Sequence, residues 1–181
     1  MTRPNWTTCL ALGFMCFAIG GAKVAAAADA KGTSVEARLR HIEDVESIRV
    51  LLDHYIELNE SRDYPAYSQL FAKDGELVLR SGRATGPAGI LKMMQETYGK
   101  PGAPTPAKGS SHILSNIKIT VEGDAATASS RWTLLVPEDD HARLGGTGRY
   151  ADKLVRENGV WKFQQRVIQR DIPADAPAAA R

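Results

Sequence analysis

Apolar residues recur at intervals of three and four along one stretch: Val35, Leu39, Ile42, Val45, Ile48, Leu51, Leu52, Tyr55 and Leu58. That spacing places them on a single stripe and predicts a long amphipathic helix over 35–59. Glu36, Arg38, Arg40, Glu43 and Glu46 fill its polar face, and Ser34 is a suitable N-cap. After Asp63 a short second helix turns Tyr64, Tyr67, Leu70 and Phe71 inward. Asp74-Gly75 reads as a turn, Glu76 to Arg80 as a strand, and Ser81-Gly82 as the turn that follows it. Gly86-Pro87 opens a third helix over 87–97, carrying Ile90, Leu91, Met93 and Met94, because proline costs no hydrogen bond at a helix start. A Pro/Gly-rich loop occupies 99–110. Beyond it the period changes to two. Strands are predicted over 111–122, 125–136, 148–156 and 160–170, with hairpin signals at Gly123-Asp124 and Asn158-Gly159. The Ala/Pro-rich tail over 173–181 predicts a frayed end. Helices followed by hairpin-linked strands make an α+β domain over 35–172. The expected architecture is a cone-shaped barrel, with a strongly curved antiparallel sheet wrapped around the long N-terminal helix and two shorter helices. Such a cone encloses a cavity suited to a small molecule.

The composition is that of a soluble globular protein: 181 residues, 43% hydrophobic and 24% charged. It excludes a disordered chain, a disulfide scaffold and a multipass membrane protein. A formal charge of +2 without a basic stripe argues against nucleic acid as a partner. Residues 1–28 read as a secretory signal peptide. Arg3 supplies the positive start, Leu10 to Ala22 the apolar stretch, and the alanine run 25–28 the cleavage site. The apolar stretch is too short to span a bilayer. The expected location is therefore periplasmic or secreted, with no membrane attachment after cleavage. Both cysteines, Cys9 and Cys16, fall inside the signal, so the mature chain has neither disulfide nor thiolate chemistry. Cleavage after Ala28 also removes Arg3 and Lys23 and no acid, which brings the net charge to zero.

Candidate chemistry is sparse. Gly145-Gly146-Thr147-Gly148 leads into a strand, whereas a phosphate loop needs a helix after it. His41, His54, His112 and His141 show no metal-ligand spacing, and no metal or cofactor is expected. His112 opens a strand directly after the flexible loop, and an imidazole at a pocket mouth is suited to general acid–base work near neutral pH. Glu60 ends the long helix, where the dipole disfavours an anion by about 0.3–1 kcal/mol. Tyr55 lies on the apolar stripe, so its hydroxyl needs a partner. Alternation places His112, Leu114 and Asn116 on one strand face, and Tyr150 with Asp152 on another. The pocket set is then Tyr55, Met94, His112, Leu114, Asn116, Trp132 and Tyr150, with Glu60 and Arg170 as its charged members. Such a lining fits a small hydrophobic ligand or substrate. On the last strands Trp132, Leu134 and Val136 oppose Leu135, and Trp161, Phe163 and Val167 oppose Val160 and Ile168. Apolar residues on both faces predict a homodimer through the outer sheet face.

Several phrases, in order, resemble the SnoaL-like group of the nuclear-transport-factor-2-like superfamily. They are Glu60-Ser61-Arg62-Asp63-Tyr64, Leu70-Phe71-Ala72-Lys73-Asp74-Gly75, His112-Ile113-Leu114-Ser115-Asn116, Gly148-Arg149-Tyr150-Ala151-Asp152 and Asn158-Gly159-Val160-Trp161-Lys162-Phe163. The resemblance covers about 36–172 and implies the cone fold. It also implies a dimer and a pocket used by dehydratases, isomerases, cyclases and non-catalytic binders. Scytalone dehydratase and bile acid 7α-dehydratase are similar enzymes in which an acid after the first helix and a histidine early in the sheet form a dyad. Glu60 and His112 stand at those positions. Tyr55 and Arg170 match a helix tyrosine and a last-strand arginine of the bile acid enzyme. Val136 replaces that enzyme's second acid, Leu79 replaces a tyrosine of the scytalone enzyme, and the latter's second histidine is missing. The resemblance implies a cofactor-free lyase (dehydratase) or isomerase working through His112, Glu60 and Tyr55 on a hydrophobic ring compound. The alternative is a non-catalytic periplasmic binding module of the same fold.

Overall fold

Helix α1 runs from Val35 to Ser61. It stops at Arg62, whose φ of 59° is left-handed. The Arg62 N–H bonds the Asn59 carbonyl and the Asp63 N–H reaches the Leu58 carbonyl at 3.0 Å, the pairing of a Schellman cap. Asp63 then starts the next helix, its Oδ1 accepting the Ala66 N–H at 3.0 Å. The computed structural model describes residues 34–99 and 109–172. Residues 1–33, with the expected signal, most of the 99–110 loop and the tail from Pro173 lie outside the described residues. All elements below belong to the unit that begins at Val35.

After α1 come α2 (Tyr64–Ser68), β1 (Phe71–Leu79), β2 (Gly82–Thr85), α3 (Gly86–Tyr98), β3 (Ser111–Glu122), β4 (Ala125–Glu138), β5 (His141–Glu157) and β6 (Val160–Ile172). The strands form one sheet in the order β2-β1-β6-β5-β4-β3. This is the expected α+β architecture, with a curved sheet around the helices. Two details differ. The sheet is open between β2 and β3 rather than closed as a barrel, and it is mixed rather than wholly antiparallel, since β1 pairs with β6 in parallel.

Only the second half of the α1 stripe is core. Ile48, Leu51, Leu52, Tyr55 and Ile56 are buried, while Val35, Leu39 and Ile42 are exposed. The boundary is Asp44, a buried acid that accepts from Trp161 Nε1 at 3.2 Å and pairs with Arg156. Arg156 and Trp161 flank the β5–β6 turn, so the helix crosses the sheet's end there and the earlier residues have no sheet beneath them. Burial opposes the Asp44 charge, but the hydrogen bonds from Arg156 and Trp161 and the Arg156 charge prevail, holding its carboxyl below the ordinary value.

Three of the sheet's register shifts bear on the expected turn and site residues. Asp74-Gly75 does not turn the chain; it is a bulge inside β1, and Phe71 begins that strand instead of ending a helix. A Cβ on Gly75 would lie 2.5 Å from the Phe163 carbonyl oxygen, so the bulge needs glycine. A second bulge in β3 lies between Ser115 and Lys118, with Asn116 at φ 53°. It ends the alternation that would have kept Asn116 beside His112, and Asn116 is exposed. The third is in β6. Leu154 pairs with Phe163 but Lys153 pairs with Gln165, leaving Gln164 as the extra residue. Beyond it parity reverses. Arg166, Ile168 and Arg170 join the inner face with Phe163, and Val167 turns outward, opposite to the expected assignment of Val167 and Ile168.

Candidate active site

The cavity has a volume of about 1610 Å³ and is walled by α1, α3 and the inner faces of β1 and β3–β6. Of the residues expected there, Tyr55, Glu60, Met94, His112, Trp132, Tyr150 and Arg170 line it. Leu114 and Asn116 do not. Asn116 is excluded by the β3 bulge, and Leu114, opposite Trp132 on β4, packs against the core.

The Schellman cap fixes Glu60 in the last turn of α1, five residues beyond Tyr55 on the same helix. Its Oε1 accepts the backbone N–H of His112 and lies 3.3 Å from His112 Nδ1. One carboxylate thus closes the start of β3 and orients the imidazole. The two new donors offset the unfavourable helix end. With Nδ1–H directed at Glu60, Nε2 is the acceptor left over. Burial lowers the His112 pKa, Glu60 raises it by hydrogen bond and charge, and burial prevails, so the net direction is downward. The carboxylate's support of the imidazole's basicity is present but outweighed.

Beneath the cavity the core is aromatic and contains a charge. Arg166 is fully buried and forks onto Asp152, with Nε–Oδ1 at 2.8 Å and Nη2–Oδ2 at 2.9 Å. Its guanidinium lies 3.8 Å from the Tyr55 ring centre, 4.2 Å from Tyr150 and 4.3 Å from Phe163. Tyr55 and Tyr67 share a hydrogen bond of 2.8 Å between hydroxyls. Burial raises the pKa of both and of Tyr150, so all three are neutral phenols. Two hydroxyls sharing one bond have one proton over, which remains available to a ligand oxygen. Arg166 was not singled out in the sequence. Its signal would have been the buried Asp152 on the neighbouring strand, and the bulge hid the pairing.

The glycine run serves space rather than phosphate. A Cβ on Gly148 would lie 2.6 Å from Trp132 Cε2, and one on Gly145 about 3.0 Å from Val136. Bare backbone there leaves room for Trp132, Leu134 and Val136 to wall the cavity. Among the described residues no three His, Cys, Asp or Glu side chains gather as metal ligands.

The SnoaL-like domain model matches residues 40–167, well over half of the sequence. The chain belongs to the SnoaL-like domain family. Solved structures agree with this SnoaL-like assignment. One is a nuclear-transport-factor-2-like protein with a cystatin-like fold from Novosphingobium aromaticivorans, 28% identical, with a TM-score of 0.63 over 80% of this chain and 91% of that one. A candidate scytalone dehydratase from the same organism is 23% identical, with a TM-score of 0.61 over 75% and 89% of the two chains. A candidate aromatic ring hydroxylase, also from that organism, is 23% identical, with a TM-score of 0.59 over 73% and 92%. At 23% identity these two speak to the fold alone. No curated protein matches the sequence.

Proposed function

We propose that this SnoaL-like domain is a cofactor-free lyase or isomerase acting on a hydrophobic ring compound. The observation that carries the reading is the His112 imidazole 3.3 Å from Glu60 in the wall of a largely apolar cavity. His112 Nε2 takes a proton from a ring carbon next to a carbonyl or hydroxyl-bearing carbon. Glu60 holds the Nδ1–H and stabilises the imidazolium that forms. In a dehydration the same proton goes to the departing hydroxyl, giving a double bond and water. In an isomerisation it returns to another carbon. The spare proton of the Tyr55–Tyr67 pair hydrogen-bonds the substrate oxygen as charge grows there. The test is a thermal-shift screen of polycyclic and phenolic compounds, followed by turnover assays on the stabilisers. Compounds that bind without any being turned over would leave a binding module in place of an enzyme. The likeness in fold to a candidate dehydratase supports the reading.

The site's pH dependence follows from His112. Its base must be neutral, and burial holds its pKa below the ordinary histidine value, so kcat/KM is expected to rise with pH along an acid limb that lies lower than a free histidine's. Glu60→Gln removes a raising influence and should move the acid limb to still lower pH. A limb that stays in place, or moves upward, contradicts the pairing. The same depression makes stability complete above 6.5 and lost as pH falls toward the folded value, because the unfolded histidine then binds protons the folded one does not.

Export and assembly belong to the same proposal. Native protein should begin near Asp29 or Lys31, and an intact Met1 on N-terminal sequencing rejects a cleaved signal. A homodimer is supported by the outer sheet face. There Ile113, Thr133, Thr147 and Ile172 form one cross-strand row beside the Leu135–Leu144 pair, and Ile113, Leu144 and Ile172 are exposed. Light scattering at micromolar concentration should give twice the chain mass, and a monomer rejects it.

A further inference from the structure

Over the glycine run of β5, two donors have no acceptor among the described residues. The Trp132 ring is buried, and its Nε1–H makes no hydrogen bond. Arg170, turned inward by the β6 bulge, has no ion pair or hydrogen bond among the described residues. Its guanidinium carbon lies 5.8 Å from the centre of the Trp132 ring. Both groups sit over the glycine run on the inner face of β5. A Cβ on Gly146 would lie 3.3 Å from Arg170 Nη2, and one on Gly148 2.6 Å from Trp132 Cε2, the ring atom bonded to Nε1. An indole N–H and a guanidinium can only donate, so whatever satisfies them must accept, and the guanidinium charge favours an anion. Of the other charged side chains in the lining, Glu60 is held by His112 and Arg143 by Glu138 at 3.2 Å, while Arg80 follows β1, the strand beside β6, and adds positive charge on the Arg170 side.

We infer that Arg170 and Trp132 Nε1 form a carboxylate subsite, and that the ligand is a ring compound bearing one carboxylate. This rests on the pocket reading above and deepens it. Glu60 repels an anion at the His112 side of the cavity, while Arg170 attracts one across the sheet. β3 and β6 are separated by three strand spacings, about 14 Å. Trp132 stands between them, its ring centre 6.4 Å from that of His112. The charges therefore set the ligand's direction: carboxylate on Arg170 and Trp132, ring along the indole, reacting carbon at His112. The planar Arg170 guanidinium grips the carboxylate with two parallel hydrogen bonds.

The test uses 2-naphthoate and 2-naphthamide, which share a ring system and differ in charge. Calorimetric titration of the wild-type protein should show the acid binding at least tenfold more tightly than the amide. Arg170→Gln, a change at an exposed side chain that leaves the core intact, should reduce that preference to less than threefold. In proton–nitrogen spectra the Trp132 indole N–H, assigned through Trp132→Phe, should move downfield with naphthoate and not with naphthamide. Affinities within threefold of each other in the wild type, or a preference that survives Arg170→Gln, overturn the subsite; so does failure of naphthoate to bind at millimolar concentration. Equal binding of acid and amide overturns the subsite while the pocket stands. Arg170-dependent preference for the acid supports the subsite even where no carboxylate is turned over, the result that would remove the lyase reading alone.

Discussion

Arg166→Met should destabilise the protein by about 3–5 kcal/mol, because it leaves the Asp152 carboxylate buried without its partner. Asp152→Leu should cost a similar amount by stranding the guanidinium among Tyr55, Tyr150 and Phe163. At this domain size a loss of that order lowers the melting temperature by roughly 10 °C or more. The double variant Arg166→Met/Asp152→Leu is the informative one. With both charges gone and the volumes filled, most of the stability should return, since a buried pair often does no better than well-packed apolar side chains. Thermal and urea unfolding of the three variants form a cycle. Additive losses in the double variant would mean that the residues do not act as a pair.

His112→Ala should lower turnover of a true substrate by about 10²–10⁴-fold, the usual contribution of a placed general base. Ligand affinity should change only a few-fold, because the cavity walls remain. Glu60→Gln should have a smaller effect, as the amide oxygen can still accept from the His112 backbone. Parallel kinetics and binding on the same compound decide the matter. Full activity in both variants would remove the mechanism, and equal losses in binding and turnover would make His112 a wall residue.

The helices were legible in the sequence because their signals are local: a stripe at intervals of three and four, an Asp at an N-cap, a proline at a first turn. The hairpins were legible from Gly123 and from Asn158-Gly159. The pairing of Glu60 with His112 followed from resemblance, and the geometry places the two side chains together through a cap at Arg62 that no glycine announces. What could not be read was the phase of the strands. Asn116 was expected inside and lies outside, and Ile168 was expected outside and lies inside, because a bulge is one residue of excess whose position depends on the partner strand. The exposed first half of α1 shows the same limit. Val35, Leu39 and Ile42 keep the helical period, but burial depends on where the sheet ends, and only the Asp44 contact with Arg156 and Trp161 marks that place.

The extra residue at Gln164 also makes the cavity's charge tolerant of chain length. Deleting that one position would leave Phe163 opposite Leu154, Gln165 opposite Lys153 and Arg166 opposite Asp152, now as consecutive pairs. Strict alternation from Phe163 would then still turn the side chains of Arg166, Ile168 and Arg170 inward, and only the local bend of the strand would be lost. Asp152 would keep its counter-ion, and the cavity its last-strand cation. A second deletion, bringing Arg166 next to Phe163, would carry those three side chains to the opposite face. One codon at this place is thus spare, and the next one decides the sign of what the cavity holds.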